Sequence, residues 1–314
     1  MVDTTKPSAG SVWLSAARPR TLPLAVASII MGTSLAAAGG TFNLWIGLLC
    51  FVTAILLQIL SNLANDYGDS LHGADSVERL GPSRAVQSGL VTAAQMARAM
   101  IIVALLALVS GLLLLWLAFR DTSLSATLVF ILLGGAAVAA AITYTAGKLP
   151  YGYAGLGDLA VLIFFGWVGV LGSYYVQATS LDPWLILPAT SCGLLAVAVL
   201  NVNNIRDMAS DQRAGKYSVP VRIGLKRARL YHWLLLLLPV VLAVVYVLVT
   251  GGSAWEYLFL LAVPLLVRNG LAIQRATDLP ALNPWLKQMS LATLAFVILF
   301  SVGQLLDSLM FTAG

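Results

Sequence analysis

The sequence predicts an all-α polytopic membrane protein with nine transmembrane helices. Three observations carry that prediction. Of 314 residues, 60% are hydrophobic and only 10% are charged, where a soluble domain has about 25% charged. The apolar residues fall into long uninterrupted runs, and about 20 residues of helix cross a bilayer core. The basic residues gather in segments that a single alternation of sides places together. A water-soluble globule is excluded, because too few polar side chains exist to cover one, and a mean hydropathy of +0.91 excludes disorder. The runs are too long for barrel strands, and a backbone in lipid must satisfy its own hydrogen bonds, so the spans are helices.

The elements follow in order. Residues 1–20 form a cytoplasmic N-terminal segment in which Lys6, Arg18 and Arg20 are spread out. The apolar stretch after Arg20 is too long for the core of a cleaved signal, so it is a retained first helix. No Lys, Arg, Asp or Glu occurs from Thr21 to Asn65. That is two crossings, and Gly39-Gly40 divides them into helices at 22–38 and 42–64. Further spans are expected at 99–119, 122–147, 159–181, 183–205, 230–255, 257–274 and 288–306. Arg268 interrupts the eighth, which is the least apolar of them. The whole chain, 1–314, is expected to be one membrane-embedded domain.

With the N-terminus in the cytoplasm, 17 of the 18 basic residues lie inside and only Arg120 outside. The positive-inside rule then sets the orientation. It puts the C-terminus outside and two long connections, 65–97 and 206–229, inside. Long connections with mixed composition are commonly functional. Cys50 and Cys192 sit in apolar runs and form neither a disulfide framework nor a zinc pattern.

Both long connections open with the same chemistry. The first reads Asn62-Leu-Ala-Asn65-Asp66-Tyr67-Gly68-Asp69, followed by His72, Gly73 and Asp75; the second reads Asn203-Asn204-Ile-Arg206-Asp207-Met-Ala-Ser-Asp211. Asn and Asp recur four apart in each, and residues four apart share one helix face. Each motif thus aims a stripe of oxygen ligands at the cytoplasmic end of a membrane helix. One Asn-Asp pair alone is an ordinary cap or turn. The same pattern twice on one side of the membrane points to a site, since polar groups there are costly to keep. Oxygen donors without Cys or His suit Mg²⁺, which takes one or two carboxylates and leaves room for substrate phosphates. Basic residues follow each acidic stripe: Arg79 and Arg84 after the first, Arg213 and Lys216 after the second. Acid for a metal beside base for phosphate composes a diphosphate site.

These residues resemble the two signature motifs of the UbiA superfamily of intramembrane aromatic prenyltransferases. Asn65, Asp66 and Asp69 match the first, Asn-Asp-x-x-Asp; Asp207 and Asp211 match the second, Asp-x-x-x-Asp. The third Asp of the first motif is replaced by Gly73, with Asp75 two residues on, a departure shared by the menaquinone branch of the family. Ala17-Arg18-Pro19-Arg20-Thr21-Leu22-Pro23, Ile142-Thr143-Tyr144-Thr145, Pro150-Tyr151-Gly152-Tyr153 and Gly155-Leu-Gly157-Asp158 are similar to that branch as well. The resemblance covers essentially the whole chain. It implies a UbiA-type fold of nine helices around a central cavity, in a bacterial cytoplasmic membrane. It also implies transfer of a polyprenyl group from polyprenyl diphosphate to 1,4-dihydroxy-2-naphthoate, with loss of carbon dioxide and diphosphate, and with Mg²⁺ as cofactor.

On that basis Asn65, Asp69, Asp207 and Asp211 are the expected catalytic metal-site residues, with Asp66 and Asp75 as accessory ligands. Arg84, Lys148, Arg213 and Lys216 are candidates to hold the diphosphate. The competing reading of each is ordinary positive-inside charge. Tyr67, Tyr144, Tyr151 and Tyr153 are candidates to line the chamber where a carbocation meets the acceptor, because π-faces stabilise cations. Tyr174 and Tyr175 read as an interfacial belt. Gly134, Gly135 and Ala136–Ala141 permit either close helix packing or a groove for the prenyl tail. His72 and His232 are assigned no catalytic role. The bilayer and the two substrates are the expected partners; no nucleic acid is. Alternative readings are a prenyltransferase with another acceptor, such as 4-hydroxybenzoate, and a cation-coupled secondary transporter, whose carboxylates should lie near the bilayer midplane. A phosphatidyl-type transferase would carry a longer acidic signature within one segment.

Overall fold

A computed structural model describes residues 8–71, 84–120, 124–148 and 150–311. Asp75, Arg79 and His72 fall outside the described residues.

Among the described residues every regular element is a helix. A short helix α1 (Ala9–Ala17) precedes α2 (Leu22–Ala38), and then come α3 (Leu44–Leu71), α4 (Ala93–Phe119) and α5 (Leu124–Thr143). Next are α6 (Gly157–Ala178), which contains a π-helical stretch at Leu162–Leu171, and α7 (Pro183–Arg206). Two short helices follow, α8 (Met208–Arg213) and α9 (Val219–Ile223). The chain closes with α10 (Leu225–Thr250), α11 (Ala254–Arg275) and α12 (Asn283–Phe311). Among the described residues nine helical segments are long and apolar enough to span a membrane. Each corresponds to one of the nine expected spans.

Several boundaries differ from the charge-free runs. A helix does not stop where its side chains become polar if those side chains face other helices, or if a cap starts it in solvent. Thus α3 continues seven residues past 64, to Leu71, and carries the first acidic motif on its last turns. Likewise α4 begins at Ala93 rather than 99. Thr92 supplies a capping box there, its Oγ1 accepting from the Gln95 N–H at 3.2 Å and its own N–H donating to Gln95 Oε1 at 2.9 Å. The connection expected at 206–229 holds α8, α9 and the first residues of α10.

Successive spans alternate in direction. Among the described residues, one end of the bundle therefore collects the α1–α2 junction, the last residues of α3, residues 84–92, 144–148, 150–156 and 207–224. This is the basic end. The largest core cluster joins α2, α7, α10, α11 and α12 through residues such as Met31, Leu195, Leu235, Phe259, Phe296 and Phe300, each under 3% exposed. α7 is its axis, with 15 buried residues from Pro188 to Arg206. Helices α6 and α7 cross where glycine meets glycine: a Cβ on Gly166 would lie 2.7 Å from the Ala189 carbonyl oxygen and 3.0 Å from the Gly193 Cα. His232, fully buried, receives Asn201 on Nδ1 at 3.3 Å and meets Asn269 Oδ1 through Nε2 at 2.9 Å, tying α7, α10 and α11 together. It has a structural partner on each ring nitrogen and lies away from the acidic motifs.

By contrast, α5 buries no residue at all. It leans on α3 and α4 and leaves a cavity of about 730 Å³ between itself, α2, α3, α4, α6 and α7.

Candidate active site

The cavity is apolar along most of its length and polar at the basic end. Its polar wall is made by Arg20, Gln58, Asn62, Asn65, Arg84, Tyr144, Asn203 and Lys216, among others. The two acidic motifs bracket this end, one on the last turns of α3 and the other at the α7–α8 junction.

Helical spacing splits the first motif into two faces. On one face Asn62 donates through Nδ2 to the Ala17 carbonyl at 2.8 Å and to Thr21 Oγ1 at 3.0 Å. Below it, Asp66 accepts the backbone N–H groups of Ala85 and Val86, at 3.1 and 3.5 Å. Asp66 is 2% exposed, and both its oxygens are engaged by that turn. In these contacts it holds residues 85–86, on the segment that leads into α4. On the other face lie Asn65 and Asp69. Asp69 pairs with the Arg84 guanidinium through Oδ2 and accepts the Tyr153 hydroxyl on Oδ1 at 2.8 Å. Arg84 also donates to the Asn65 carbonyl. The Asn65 Oδ1 is buried and accepts no hydrogen bond.

The second motif pairs its acids with neighbouring bases. Arg206 grips Asp207 in a bidentate pair, Nε to Oδ1 at 2.8 Å and Nη2 to Oδ2 at 2.6 Å. The same guanidinium donates to Asn203 Oδ1 at 2.8 Å and to Asn283 Oδ1 on α12 at 2.7 Å. Asp211 faces Lys216 Nζ at 3.4 Å and Ser218 Oγ at 3.4 Å. Burial pushes the Asp211 carboxyl above its ordinary range; Lys216 works against this, and the charges of Asp207 and Asp69 add to it. Burial pulls the Lys216 ammonium down, but the charges of Asp211 and Asp69 outweigh it and hold it above its usual value. Lys216 thus feels carboxylates of both motifs, and it lines one cavity with Asn65 and Arg84, which brings the two acidic regions to the same wall.

A close approach makes this convergence possible. Thr145 donates through Oγ1 to the Ala64 carbonyl at 3.0 Å, pressing residues 144–145 onto α3 at Gly68. A Cβ on Gly68 would stand 2.5 Å from the Thr145 carbonyl carbon and oxygen. Tyr144 and Tyr151 follow as an edge-to-face pair with centroids 5.3 Å apart, and both border the cavity. Burial raises both phenols, so they stay neutral.

The other candidates separate. Tyr67 packs in a cluster with Val12, Leu60 and Met96, outside the cavity lining. Tyr153 serves Asp69 rather than the cavity wall. Lys148 and Arg213 are exposed and do not border the cavity, whereas Arg84 and Lys216 are buried and do. Tyr175 stacks on Phe130 at 5.6 Å and touches Phe119, which makes it part of an aromatic plug at the far end rather than a simple interfacial residue. Gly134 and Gly135 border the cavity, and a Cβ on either would meet nothing within 4 Å. Of packing and groove, the groove is what α5 forms. Ile101, Leu105, Leu108 and Leu112, one stripe of α4, border it from the other side and are 46–60% exposed.

Two residues carry more weight here than their sequence context suggested. Arg206 read as one positive-inside charge, and its position next to Asp207 was the available signal. Arg20 read the same way; it lies in the turn at Pro19–Thr21 between α1 and α2 and borders the cavity.

The donor set suits a hard divalent cation. Asn65 Oδ1 has no partner, and Asp69, Asp207 and Asp211 present only oxygen. Among the described residues no three His, Cys, Asp or Glu side chains stand together as a group that could hold a metal ion, and Asp69, Asp207 and Asp211 each face a basic side chain. Mg²⁺ is commonly bound through only one or two carboxylates, with other oxygens from water and phosphate.

The chain is similar to known proteins in sequence and in fold. The chain is 50% identical over 291 residues to the 1,4-dihydroxy-2-naphthoate octaprenyltransferase of Escherichia coli K12, covering 93% of this chain and 94% of that one. It is 38% identical to the Mycobacterium tuberculosis protein of the same name, over 91% and 94% of the two chains. In three dimensions it is similar to a UbiA homolog from Aeropyrum pernix K1, with a TM-score of 0.64 at 18% identity over 90% and 97% of the chains. It also resembles a UbiA homolog from Archaeoglobus fulgidus bound to GPP and Mg²⁺, with a TM-score of 0.59 at 16% identity over 92% and 99%. The pattern that defines one family matches residues 25–294, from α2 into α12 and across both acidic motifs, and on that match the chain belongs to the UbiA prenyltransferase family.

Proposed function

We propose that the protein transfers a polyprenyl group from polyprenyl diphosphate to 1,4-dihydroxy-2-naphthoate, releasing carbon dioxide and diphosphate and giving demethylmenaquinol, a step of menaquinone biosynthesis. The observation that carries this reading is the 50% identity to the Escherichia coli octaprenyltransferase over nearly its full length. The site agrees with it in charge, shape and polarity.

Asn65, Asp69, Asp207 and Asp211 are the residues to hold Mg²⁺. The ion's contribution there is positive charge on the leaving diphosphate. Arg84 and Lys216, which face Asp69 and Asp211 and border the cavity, are the residues that would pair with diphosphate oxygens. Their charge then acts on the leaving group in a site of low polarity, where it counts for more than in water. The apolar wall of α4, α5 and α6 takes the prenyl tail and keeps water from the allylic carbon. Tyr144 and Tyr151, neutral at ordinary pH, present π-faces at the polar end, where positive charge develops. Arg206 sets the orientation of Asp207 and supplies the counter-charge that burial of that carboxylate requires.

The basic end is read as cytoplasmic by the positive-inside rule, in a bacterial cytoplasmic membrane with the C-terminus outside. The water-soluble acceptor enters from that side, and the lipid donor enters from the bilayer.

The test uses isolated membranes, Mg²⁺, a polyprenyl diphosphate and acceptor labelled in its carboxyl carbon. Labelled carbon dioxide should appear in step with prenylated product, and only with both substrates and metal present. A product that keeps the label, or a clear preference for 4-hydroxybenzoate, would overturn the reading.

A further inference from the structure

Arg222 lies on α9, outside the cavity lining, and it is exposed. An exposed arginine on the basic face is ordinarily a solvated charge. Its contacts are of another kind. Nε donates to the Tyr217 carbonyl at 2.9 Å, and Nη2 donates to the Ala154 carbonyl at 2.8 Å. One planar fork thus joins two segments that are distant in sequence. A guanidinium holds its donors in fixed relative positions, so it sets the spacing of the two carbonyls as well as binding them.

The backbone beside it leaves room for the contact. The Tyr217 N–H donates to the Tyr153 carbonyl at 3.0 Å, a direct bond between the same two segments. Gly155 has a φ of +75°, and a Cβ there would stand 2.6 Å from the Tyr217 carbonyl oxygen and 2.8 Å from Arg222 Nε. A side chain at this position would push the fork away. The platform under Arg222 is firm. Pro220 is buried, Ile223 packs against the main core cluster, and the Arg222 N–H donates to the Ser218 carbonyl at 3.1 Å.

On both sides the clasp ends one residue from the site. Tyr153, just before Ala154, donates its hydroxyl to Asp69 of the first motif at 2.8 Å. Lys216, just before Tyr217, donates its backbone N–H to the Asp211 carbonyl of the second motif at 2.8 Å, and its ammonium faces the Asp211 carboxylate at 3.4 Å. Lys216 is therefore held by its own motif from one side. From the other it is held, through Tyr217 and Arg222, by the segment that grips Asp69.

We propose that Arg222 is a positioning residue for the transfer reaction: it clasps residues 153–155 to residues 216–217 and so keeps the Lys216 ammonium between the two motifs, where the diphosphate leaves. This rests on the reading that Lys216 pairs with that diphosphate. Arg222 does not border the cavity, so its effect passes through geometry. A positive charge without the fork does not replace it.

The experiment compares the full-length wild type with Arg222→Lys, Arg222→Gln, Lys216→Ala and the double variant of Arg222→Gln with Lys216→Ala, all in detergent. Two readouts are taken. One is the kinetics with a prenyl diphosphate and the naphthoate. The other is calorimetric binding of inorganic diphosphate with Mg²⁺, which needs neither acceptor nor turnover. Arg222→Lys keeps the charge and loses the fork. Both single Arg222 variants should lower kcat/KM for the donor, and weaken diphosphate binding, about tenfold, as misplacement of one charged group does. The acceptor KM should stay unchanged. In the Lys216→Ala background Arg222→Gln should cost nothing further, because a residue that acts only through another has no effect once that other is gone. Gly155→Ala should reproduce the loss with Arg222 intact, by pressing on the Tyr217 carbonyl. Wild-type values in Arg222→Lys overturn the proposal, since they would leave only a charge on the basic face. Losses that multiply in the double variant also overturn it, since they would give Arg222 a role apart from Lys216. Should the wild type fail to prenylate the naphthoate, the functional reading fails by itself. The diphosphate titration then decides for or against the clasp by the same comparisons.

Discussion

Gly68→Ala adds one methyl group to the last turns of α3, and the structure makes it costly. In an open helix the change would help by about 1 kcal/mol. Here the new Cβ would stand 2.5 Å from the Thr145 carbonyl carbon and oxygen and 2.7 Å from its hydroxyl oxygen, where ordinary contact begins at 3.4 Å. The neighbour cannot rotate away, because two of those atoms are backbone and Thr145 is fully buried with its hydroxyl tied to Ala64. Residues 144–145 and α3 must therefore part by about 0.9 Å. Overpacking of this kind costs about 1–3 kcal/mol, which outweighs the gain in helix propensity. The larger effect is on the site, since Asp69 and Tyr144 sit on the two surfaces being separated. Misplacement by about 1 Å is enough for a hundredfold loss of rate. The expected result is a protein that still inserts, melts lower, and transfers prenyl groups about a hundredfold more slowly. Turnover and thermal melting in detergent check this. A variant with wild-type turnover and melting temperature would refute the close approach as the device that joins the motifs.

Asp69→Asn and Asp207→Asn should each lower turnover by about two orders of magnitude or more while helix content survives; near-normal turnover of both at saturating Mg²⁺ would remove these residues from the metal site. Asp66→Asn should behave differently, melting lower by the loss of its grip on Ala85 and Val86, about 1–3 kcal/mol, with an unchanged Mg²⁺ half-saturation; a large shift in that half-saturation would make Asp66 a ligand after all. Gly134→Phe should fill the groove on α5 and abolish transfer from long prenyl donors while a ten-carbon donor is still used, and equal loss with both donors would count against the groove. For topology, a cysteine at exposed Ser88 or Gln212 should resist an impermeant reagent in intact cells, and one at exposed Ser180 should react; the reverse pattern would invert the orientation.

The sequence by itself determined the spans and their number, because lipid admits only long apolar helices and the charge-free runs mark them directly. It also determined which end is basic, and it named Asn65, Asp69, Asp207 and Asp211, since ligand stripes recur at helical spacing. Tertiary structure decided what those residues do with one another. Asn62 and Asp66 share the acidic stripe in sequence, yet they spend themselves on Ala17, Thr21, Ala85 and Val86, because a helix turns neighbouring residues to different partners. Arg84 and Lys216 stand at the cavity while Lys148 and Arg213 do not, and nothing in a basic residue's local context tells the two cases apart. Tyr144 and Tyr67 are likewise indistinguishable until residues 144–145 fold back onto Gly68. Helix ends past 64 and before 99 were hidden because charge marks where lipid stops, while backbone hydrogen bonds continue: past 64 the polar side chains are covered by neighbouring helices, and before 99 the Thr92–Gln95 cap starts the helix in solvent. The arginine at position 20 had one clue, the proline before it. That it borders the cavity is a fact of packing, produced by contacts from α3 and α12, and contacts between distant segments are what a linear pattern cannot display.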